Sequence, residues 1–378
     1  MSIEIREIST RKGDLKRFIK FTNDLYKEND CYVPPLVMDE INLMTPSKNP
    51  AFDFCESIYF MAYRDGKAVG RIAGIINHQV NEKSGEKRVR FGMIDFIDDI
   101  EVSRALISAV EQWGKSKGLT EIVGPLGFCD MDKEGMLIEG YDELGTMATI
   151  YNYPYYPEHM EQMGFEKAAD WHEFKIYIPE AVPEKHQRIS DIVAKKFGLS
   201  VVKYTDSKKL VKDYGYAIFD LINEAYKDLF GYSTLTQRQI DDYIKQYLPI
   251  LRLDGLVLIV DKEKTLIGVG ITLPSMSRAL QKSKGKLFPL GWYHMIKALR
   301  GKNTIIDLML VAVKPEYQGK GVNAFLFSDL IPVYIKNGIE YGESNPELEL
   351  NNKVQAQWQY FDTKMHKRRR AFKKSIEA

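Results

Sequence analysis

Residues Thr304 to Tyr334 read TIIDLMLVAVKPEYQGKGVNAFLFSDLIPVY, and this stretch decides the fold. Its first part, Ile305 to Val313, is an apolar, β-rich run of strand length. Pro315 ends the strand, because proline has no N–H to give to a ladder. The apolar segment beyond Asn323 reads as a helix, with Pro332 predicted to kink it. Between the two lie Gln318-Gly319-Lys320-Gly321-Val322-Asn323. Strand, glycine loop and helix start, in that order, build an anion site. The first N–H groups of a helix have no partner within it, and the helix dipole favours negative charge there. Gly319 and Gly321 let a phosphate approach bare backbone, and Lys320 adds a positive charge. The spacing is neither the GxxxxGK[ST] of a P-loop nor the GxGxxG of a dinucleotide fold.

The loop resembles the pyrophosphate loop of the GNAT (N-acetyltransferase) superfamily, in which Q/R-x-x-G-x-G/A follows an L-x-V strand end. Here Leu310-Val311-Ala312-Val313 is the strand end, and Gln318, Gly321 and Asn323 occupy the loop positions. Asn323 departs from the pattern, which has Gly or Ala there; Asn at a helix start serves instead as a cap. The resemblance implies an acyl-CoA cofactor, acetyl-CoA in the first instance. It assigns the cofactor to Val311, Val313, Gln318, Gly319, Lys320, Gly321, Val322 and Asn323, with Asn351 or Asn352 on its amide arm.

The rest of the chain fits a protein of two domains. At 378 residues it is long for one domain and comfortable for two. Hydrophobic residues at 44% and charged residues at 28% exclude disorder as the expectation. A net charge of +1 gives no global attraction to nucleic acid or anionic lipid. The N-terminal MSIEIREIST has no basic-then-apolar pattern, and no apolar run approaches ~18 residues. Cys31, Cys55 and Cys129 form no CxxC, and the six histidines show no ligand spacing, so no metal is expected. The reading is a reduced, cytoplasmic protein with no membrane span; a homodimer is allowed for.

In chain order, helical spacing covers Asp14 to Tyr26, and a hairpin joins Ser57 to Tyr63 with Ala68 to Asn77 across Asp65-Gly66. A strand at Arg90 to Ile97, a helix at Val102 to Lys117 and a strand at Glu121 to Gly124 follow. Tyr156 to Lys167 resembles the closing helix and Gly-Phe segment of the same superfamily, so the first half looks like a complete GNAT fold on its own. The linker falls at Pro179 to Pro183. The second half repeats the plan: helices at Tyr214 to Leu229 and Gln237 to Tyr247, a hairpin of Leu256 to Val260 with Leu266 to Leu273, the strand at Ile305 to Val313, and another at Ile339 to Gly342. Ile94-Asp95 matches Ile306-Asp307, and Gly118-Leu119 matches Gly338-Ile339; the second copy is longer mainly by Lys314 to Val322. The predicted class is α/β (α+β): two GNAT-like domains at 1–179 and 184–378, each a mixed, mostly antiparallel sheet flanked by helices. Where the second copy has its glycine loop, the first has Asp98-Asp99-Ile100-Glu101, which favours a helix start but repels a diphosphate. One cofactor site is therefore expected, in the second half. Taken whole, with Tyr32 to Leu36 as an YVPPL-type segment, the chain looks like a tandem bacterial GNAT-like protein.

The resemblance implies N-acyl transfer from acyl-CoA to a small-molecule or peptide amine. Such a reaction needs a base for the amine, a donor for the thioester oxygen and a proton for the thiolate. Asp307 and Glu343 are the base candidates, and backbone near Val311 and Val313 the donor. Tyr360 is the acid, by its position in Val354 to Phe361. Two other readings remain: a non-catalytic acyl-CoA-binding scaffold, and a tRNA-dependent aminoacyltransferase on a tandem version of the fold, which lacks support from any helical arm. Phe288 to Arg300 is read as packing over the cleft, with membrane contact as its second reading. His366 to Arg370 is read as a solvated basic face before a last strand at Ala371 to Ile376, with the cofactor's 3′-phosphate as an alternative and nucleic acid disfavoured.

Overall fold

The computed structural model describes residues 2–247, 251–351 and 355–376. In chain order its elements are β1 (Glu4–Glu7), α1 (Lys12–Leu25), α2 (Val37–Leu43), β2 (Cys55–Arg64), β3 (Lys67–Asn77), α3 (His78–Ser84), β4 (Arg88–Phe96), α4 (Ile100–Ser116) and β5 (Glu121–Gly124). Then come β6 (Met136–Glu139), α5 (Tyr155–Gln162), β7 (Glu166–Tyr177), α6 (Glu184–Phe197), β8 (Ser200–Val202), α7 (Ser207–Tyr226) and α8 (Gln237–Tyr247). The last group is β9 (Leu256–Val260), β10 (Leu266–Pro274), α9 (Ser277–Ser283), α10 (Gly291–Arg300), β11 (Ile305–Val313), α11 (Val322–Asn337), β12 (Tyr341–Ser344), β13 (Glu347–Leu348) and β14 (Thr363–Ser375). Pro332 lies inside α11 without ending it.

All strands join one mixed, mostly antiparallel sheet in the order β1-β2-β3-β4-β5-β14-β7-β12-β11-β10-β9-β8, with β6 beside β14 and β13 beside β7. Two neighbouring pairs are parallel, β4 with β5 and β11 with β12, one in each half. The centre departs from the sequence expectation. The first half is not complete alone, because its edge strand β5 pairs with β14 from the far end of the chain. Reciprocally, β12 pairs with β7 from the first half. The long antiparallel pair β7/β14 thus serves both halves, and the sheet is continuous across 179–184.

This exchange also corrects the reading of His366 to Arg370. The run lies within β14, not before it, and His366, Lys367 and Arg369 are buried. Burying such charges is costly unless each is paired. Strand β7 supplies the partners: Glu173 meets Arg369 and lies 3.0 Å from the Lys367 ammonium, while Asp170 takes Arg370 Nε at 2.7 Å and an Arg368 nitrogen at 2.6 Å. Burial works to raise the Glu173 pKa, but the Arg369 and Lys367 charges overcome it and hold the carboxyl at about 2.

Apolar faces follow the sheet. Leu106, Val110 and Phe91 fill the first half beneath α4. In the second half, Val257, Ile306 and Leu308 face α11 through Val322 and Leu326, whereas Leu258, Val269 and Ala312 face α7 through Ile218 and Ile222.

Candidate active site

Pairing between β11 and β12 runs from Ile305↔Tyr341 to Leu308↔Ser344 and stops. At that point β11 also slips against β10, where Ile271 faces Leu310 and Thr272 faces Leu308, leaving Met309 as the extra residue of a bulge. A bulge bends its strand and ends regular pairing. Beyond it, β11 presents an edge with no strand beside it among the described residues. The carbonyls on this edge are not free, contrary to expectation. Met309 O accepts from Asn345 Nδ2 at 2.7 Å, Val311 O from the Tyr226 hydroxyl at 2.9 Å, and Val313 O from Gln318 Nε2 at 3.1 Å. An antiparallel strand turns the N–H and C=O of one residue to the same edge, so the N–H groups of Val311 and Val313 face the opening.

The opening leads into a cavity of about 840 Å³. Leu308 to Val311 and Ser344 to Leu348 form one side, and Ile218, Ile222 and Tyr226 of α7 another. The remaining wall comes from the first half, through Pro35 to Leu43 and the loop Cys129 to Glu134. Carboxylates line it. Glu347 accepts a hydrogen bond from Trp358 Nε1 at 2.9 Å, and burial pushes its pKa up to about 8. Burial likewise pushes Asp130 and Asp132 up to about 6, and lifts Glu134 further with help from the Asp130 charge. The buried guanidinium of Arg90, which donates to Gly127 O and Gly231 O at 3.0 Å, opposes this rise at Asp130 and Glu134.

The glycine loop stands at the start of α11. Gly319 and Gly321 have φ of 71° and 88°, and no side chain caps the helix. The N–H groups of Gly319, Gly321, Val322 and Asn323 have no partner among the described residues, as a diphosphate cradle requires. Lys320 is exposed, its ammonium 5.7 Å from the Phe197 ring centre. Gln318 is spent on the strand end. Asn323 Nδ2 donates to Gln357 Oε1 at 3.2 Å, and Gln357 lines the cavity, which joins loop and cavity through one side chain.

Other candidates fall differently. Asp307 and Glu343 are side by side in register and buried, behind the cavity rather than on its lining. Burial first, then the Glu343 charge, pushes Asp307 up to about 7, with the Ser275 side chain and the Met276 backbone weakly opposing the rise. Glu343 is engaged by the Lys367 ammonium, with His366 Nε2 at 3.3 Å. Ligating atoms of Glu173, Glu343 and His366 lie within 4.8 Å of one another, but Lys367 already bridges the two carboxylates. Tyr360 is 37% exposed on the flank against α6, where Lys185 Nζ donates to its hydroxyl at 2.9 Å; it does not reach the cavity. Asn352 lies outside the described residues.

At the matching place in the first half, the opening is shut. Leu126 N–H bonds Phe91 O at 2.9 Å across the β4/β5 gap, and the Tyr156 hydroxyl accepts from Phe96 N–H at 3.0 Å. Asp95 accepts from Thr22 at 2.7 Å, Arg71 Nε at 2.8 Å and Tyr26 at 2.9 Å. A cavity of about 90 Å³ remains. At the start of α4, Asp99 accepts from Glu101 N–H at 2.9 Å and pairs with Arg64 at 2.6 Å.

The sequence reading did not find Glu347, Tyr226 or the Asp130 to Glu134 loop. Glu347 had a signal: Asn345-Pro346 is a turn pair at the carboxyl end of a parallel strand, where open sheets bind ligands. The other loop had none, because it reaches the cavity from the opposite half.

No family model matches the sequence. In structure, the chain is similar along its whole length to a tandem GNAT protein from the clavulanic acid biosynthesis pathway, with 12% identity, 100% of this chain and 99% of that one covered, and a TM-score of 0.57. A second likeness, at 12% identity and a TM-score of 0.53, covers 99% of this chain and 38% of a fungal multi-domain GH3 β-N-acetylglucosaminidase that contains a GCN5-related glucosamine N-acetyltransferase region. The fold is a tandem GNAT fold. In sequence, the chain is 27% identical over 380 residues to Protein YghO of Escherichia coli (strain K12), covering 97% of this chain and 94% of that protein. It is 30% identical over 315 residues to the bacterial ceramide synthase of Caulobacter vibrioides (strain NA1000 / CB15N), covering 81% of this chain and 79% of that protein, and it belongs to the family of that synthase.

Proposed function

We propose that this chain is an acyl-CoA-dependent N-acyltransferase that joins a long fatty acyl group to the amine of a long-chain amino alcohol. The carrying observation is the cavity of about 840 Å³ where β11 leaves β12. Its size falls in the range of about 300–1,000 Å³ for sites that enclose sizeable ligands, and an acetyl group would leave most of it unfilled. A long-chain donor therefore replaces the acetyl donor suggested by the family pattern. Kinship with a ceramide synthase supports the same substrate class, since a ceramide is an N-acylated long-chain amino alcohol.

Acyl-CoA would supply the thioester carbon that the amine attacks. The free N–H groups of Gly319 and Gly321 to Asn323, with Lys320, suit its diphosphate. The N–H of Val311 is placed to polarise the thioester oxygen. The acceptor arrives as an ammonium ion, and the Asp130 and Asp132 carboxylates attract it. Glu347 then takes the proton: with its pKa near 8, it is close to the working range of a general base. Tyr226, whose hydroxyl sits on the β11 edge, would return a proton to the thiolate.

The test is direct assay by mass spectrometry. Purified protein given palmitoyl-CoA and a sphingoid base should form the amide and release CoA, while acetyl-CoA should be at least about tenfold poorer in kcat/KM. CoA binding measured by calorimetry, without turnover on any long-chain amine, would leave the scaffold reading in its place.

A further inference from the structure

Helix α10 and the turn before it are apolar on two sides. Its inner face packs: Met295, Ala298 and Leu299 sit against Val33, Met276 and Leu280, and Met295 also lines the large cavity. The outer face has no cover. Phe288 is 78% and Leu290 64% exposed, and Trp292, Tyr293 and Ile296 are each about half exposed. Trp292 Nε1 donates to Pro289 O at 2.9 Å, so its one polar atom is satisfied locally and the ring can enter an apolar medium without losing a partner.

Charge along this segment of the chain is one-sided. Between Glu263 and Asp307 the chain has no acidic residue, whereas Lys282, Lys284, Lys286, Lys297, Arg300 and Lys302 are all exposed. None of these six forms an ion pair among the described residues, although the whole chain carries a net charge of only +1. Exposed aromatic and aliphatic side chains, in a segment whose charged residues are all basic, match an anionic bilayer surface. The rings enter the headgroup layer, and the cations meet lipid phosphates. No described helix is long and apolar enough to cross a membrane, so the contact is peripheral.

We propose that this face docks on an anionic lipid bilayer, with Phe288, Leu290, Trp292, Tyr293 and Ile296 inserted. If the function proposed above holds, a lipid amine drawn from the bilayer would pass Met295 into the cavity. Docking itself does not depend on that reading.

The test needs no substrate, so acyl transfer and docking can fail separately. Full-length protein is sedimented with vesicles of phosphatidylcholine alone, and of phosphatidylcholine mixed with phosphatidylglycerol. The wild type should partition to the mixed vesicles, lose binding as salt rises, and show a blue shift in tryptophan fluorescence. The pair Trp292→Ser with Ile296→Ser and the pair Lys282→Glu with Lys286→Glu should each weaken partitioning about tenfold or more, with circular-dichroism melting unchanged. Equal partitioning by both variants and wild type would overturn the proposal. So would light scattering that shows a wild-type dimer which either variant turns into a monomer, since the face would then be covered by a second copy.

Discussion

The openings at β4/β5 and β11/β12 start from one plan and end as a plug and a cavity. Each lies beyond a short parallel pairing, and each strand that bends there carries a bulge; an aspartate sits close by in both, Asp95 just past the bulge of β4 and Asp307 two residues before that of β11. In the first half, tyrosines and Arg71 satisfy the aspartate, and a main-chain bond closes the gap. In the second, Asp307 lies buried beside Glu343, the strands part, and Glu347 and the loop from Asp130 look into open space. The difference teaches that two copies of one plan can diverge by filling one gap and leaving the other open. The first half still contributes to the open cavity: it donates β7 to the sheet and acidic residues to the cavity wall.

Catalysis separates the two most sharply. Glu347→Gln should lower kcat by about 10²–10⁴-fold, with little change in the KM for acyl-CoA. For the wild type, kcat/KM should climb as pH rises through about 8, because a base works only once its proton has left. The variant's residual rate should lack that limb; a full rate in steady-state assays would move the base elsewhere on the acidic wall.

Stability should split the two aspartates by sign. Asp95→Asn strands the buried Arg71 charge and should cost about 3–5 kcal/mol. Asp307→Asn should do the reverse at high pH. Asp307 holds its proton up to about 7 when folded, against about 3.9 unfolded, so its contribution is fully present below about 4 and is lost as pH rises through 7. Relative to wild type, the variant should therefore gain on the order of 2–4 kcal/mol between pH 4 and pH 8. Urea midpoints for both variants at the two pH values check this, and parallel behaviour would show that the two sites are equivalent after all.

A smaller effect tests the loops. Gly319→Asp with Lys320→Glu copies the charge of the Asp98-Asp99 start into the second half and should weaken CoA binding at least about tenfold by calorimetry, roughly 1.4 kcal/mol. Gly319 has nothing within 4 Å of a new Cβ, so its cost is confined to the strained φ. Gly321 is the poorer choice, because a Cβ there meets Ile189 at 2.7 Å. The smallest effect on stability belongs to Tyr226→Phe, which uncovers the Val311 carbonyl and should cost about 1 kcal/mol in the same urea series, apart from any loss of rate as the proposed acid.

Much of this was legible in the residues alone. The strand at Ile305–Val313, the free amides at the start of α11 and the charged start of α4 follow from local rules: proline stops, glycine at positive φ, and acids at a helix N-terminus. Local rules placed Tyr360 and Glu343 less well. Which way a side chain faces at the end of a strand depends on what lies across it, and Lys367 lies across Glu343.

The sequence by itself determined the two copies and which of them starts its helix with a glycine loop, because periodicity and backbone freedom act over a few residues. Only the tertiary structure decided that β7 and β14 are shared, that the basic run from His366 is interior, and that acids near residue 130 face a site more than a hundred positions along the chain. Those outcomes are set by pairing partners: a charge stays inside when an opposite charge arrives from elsewhere, and a gap stays open when nothing does.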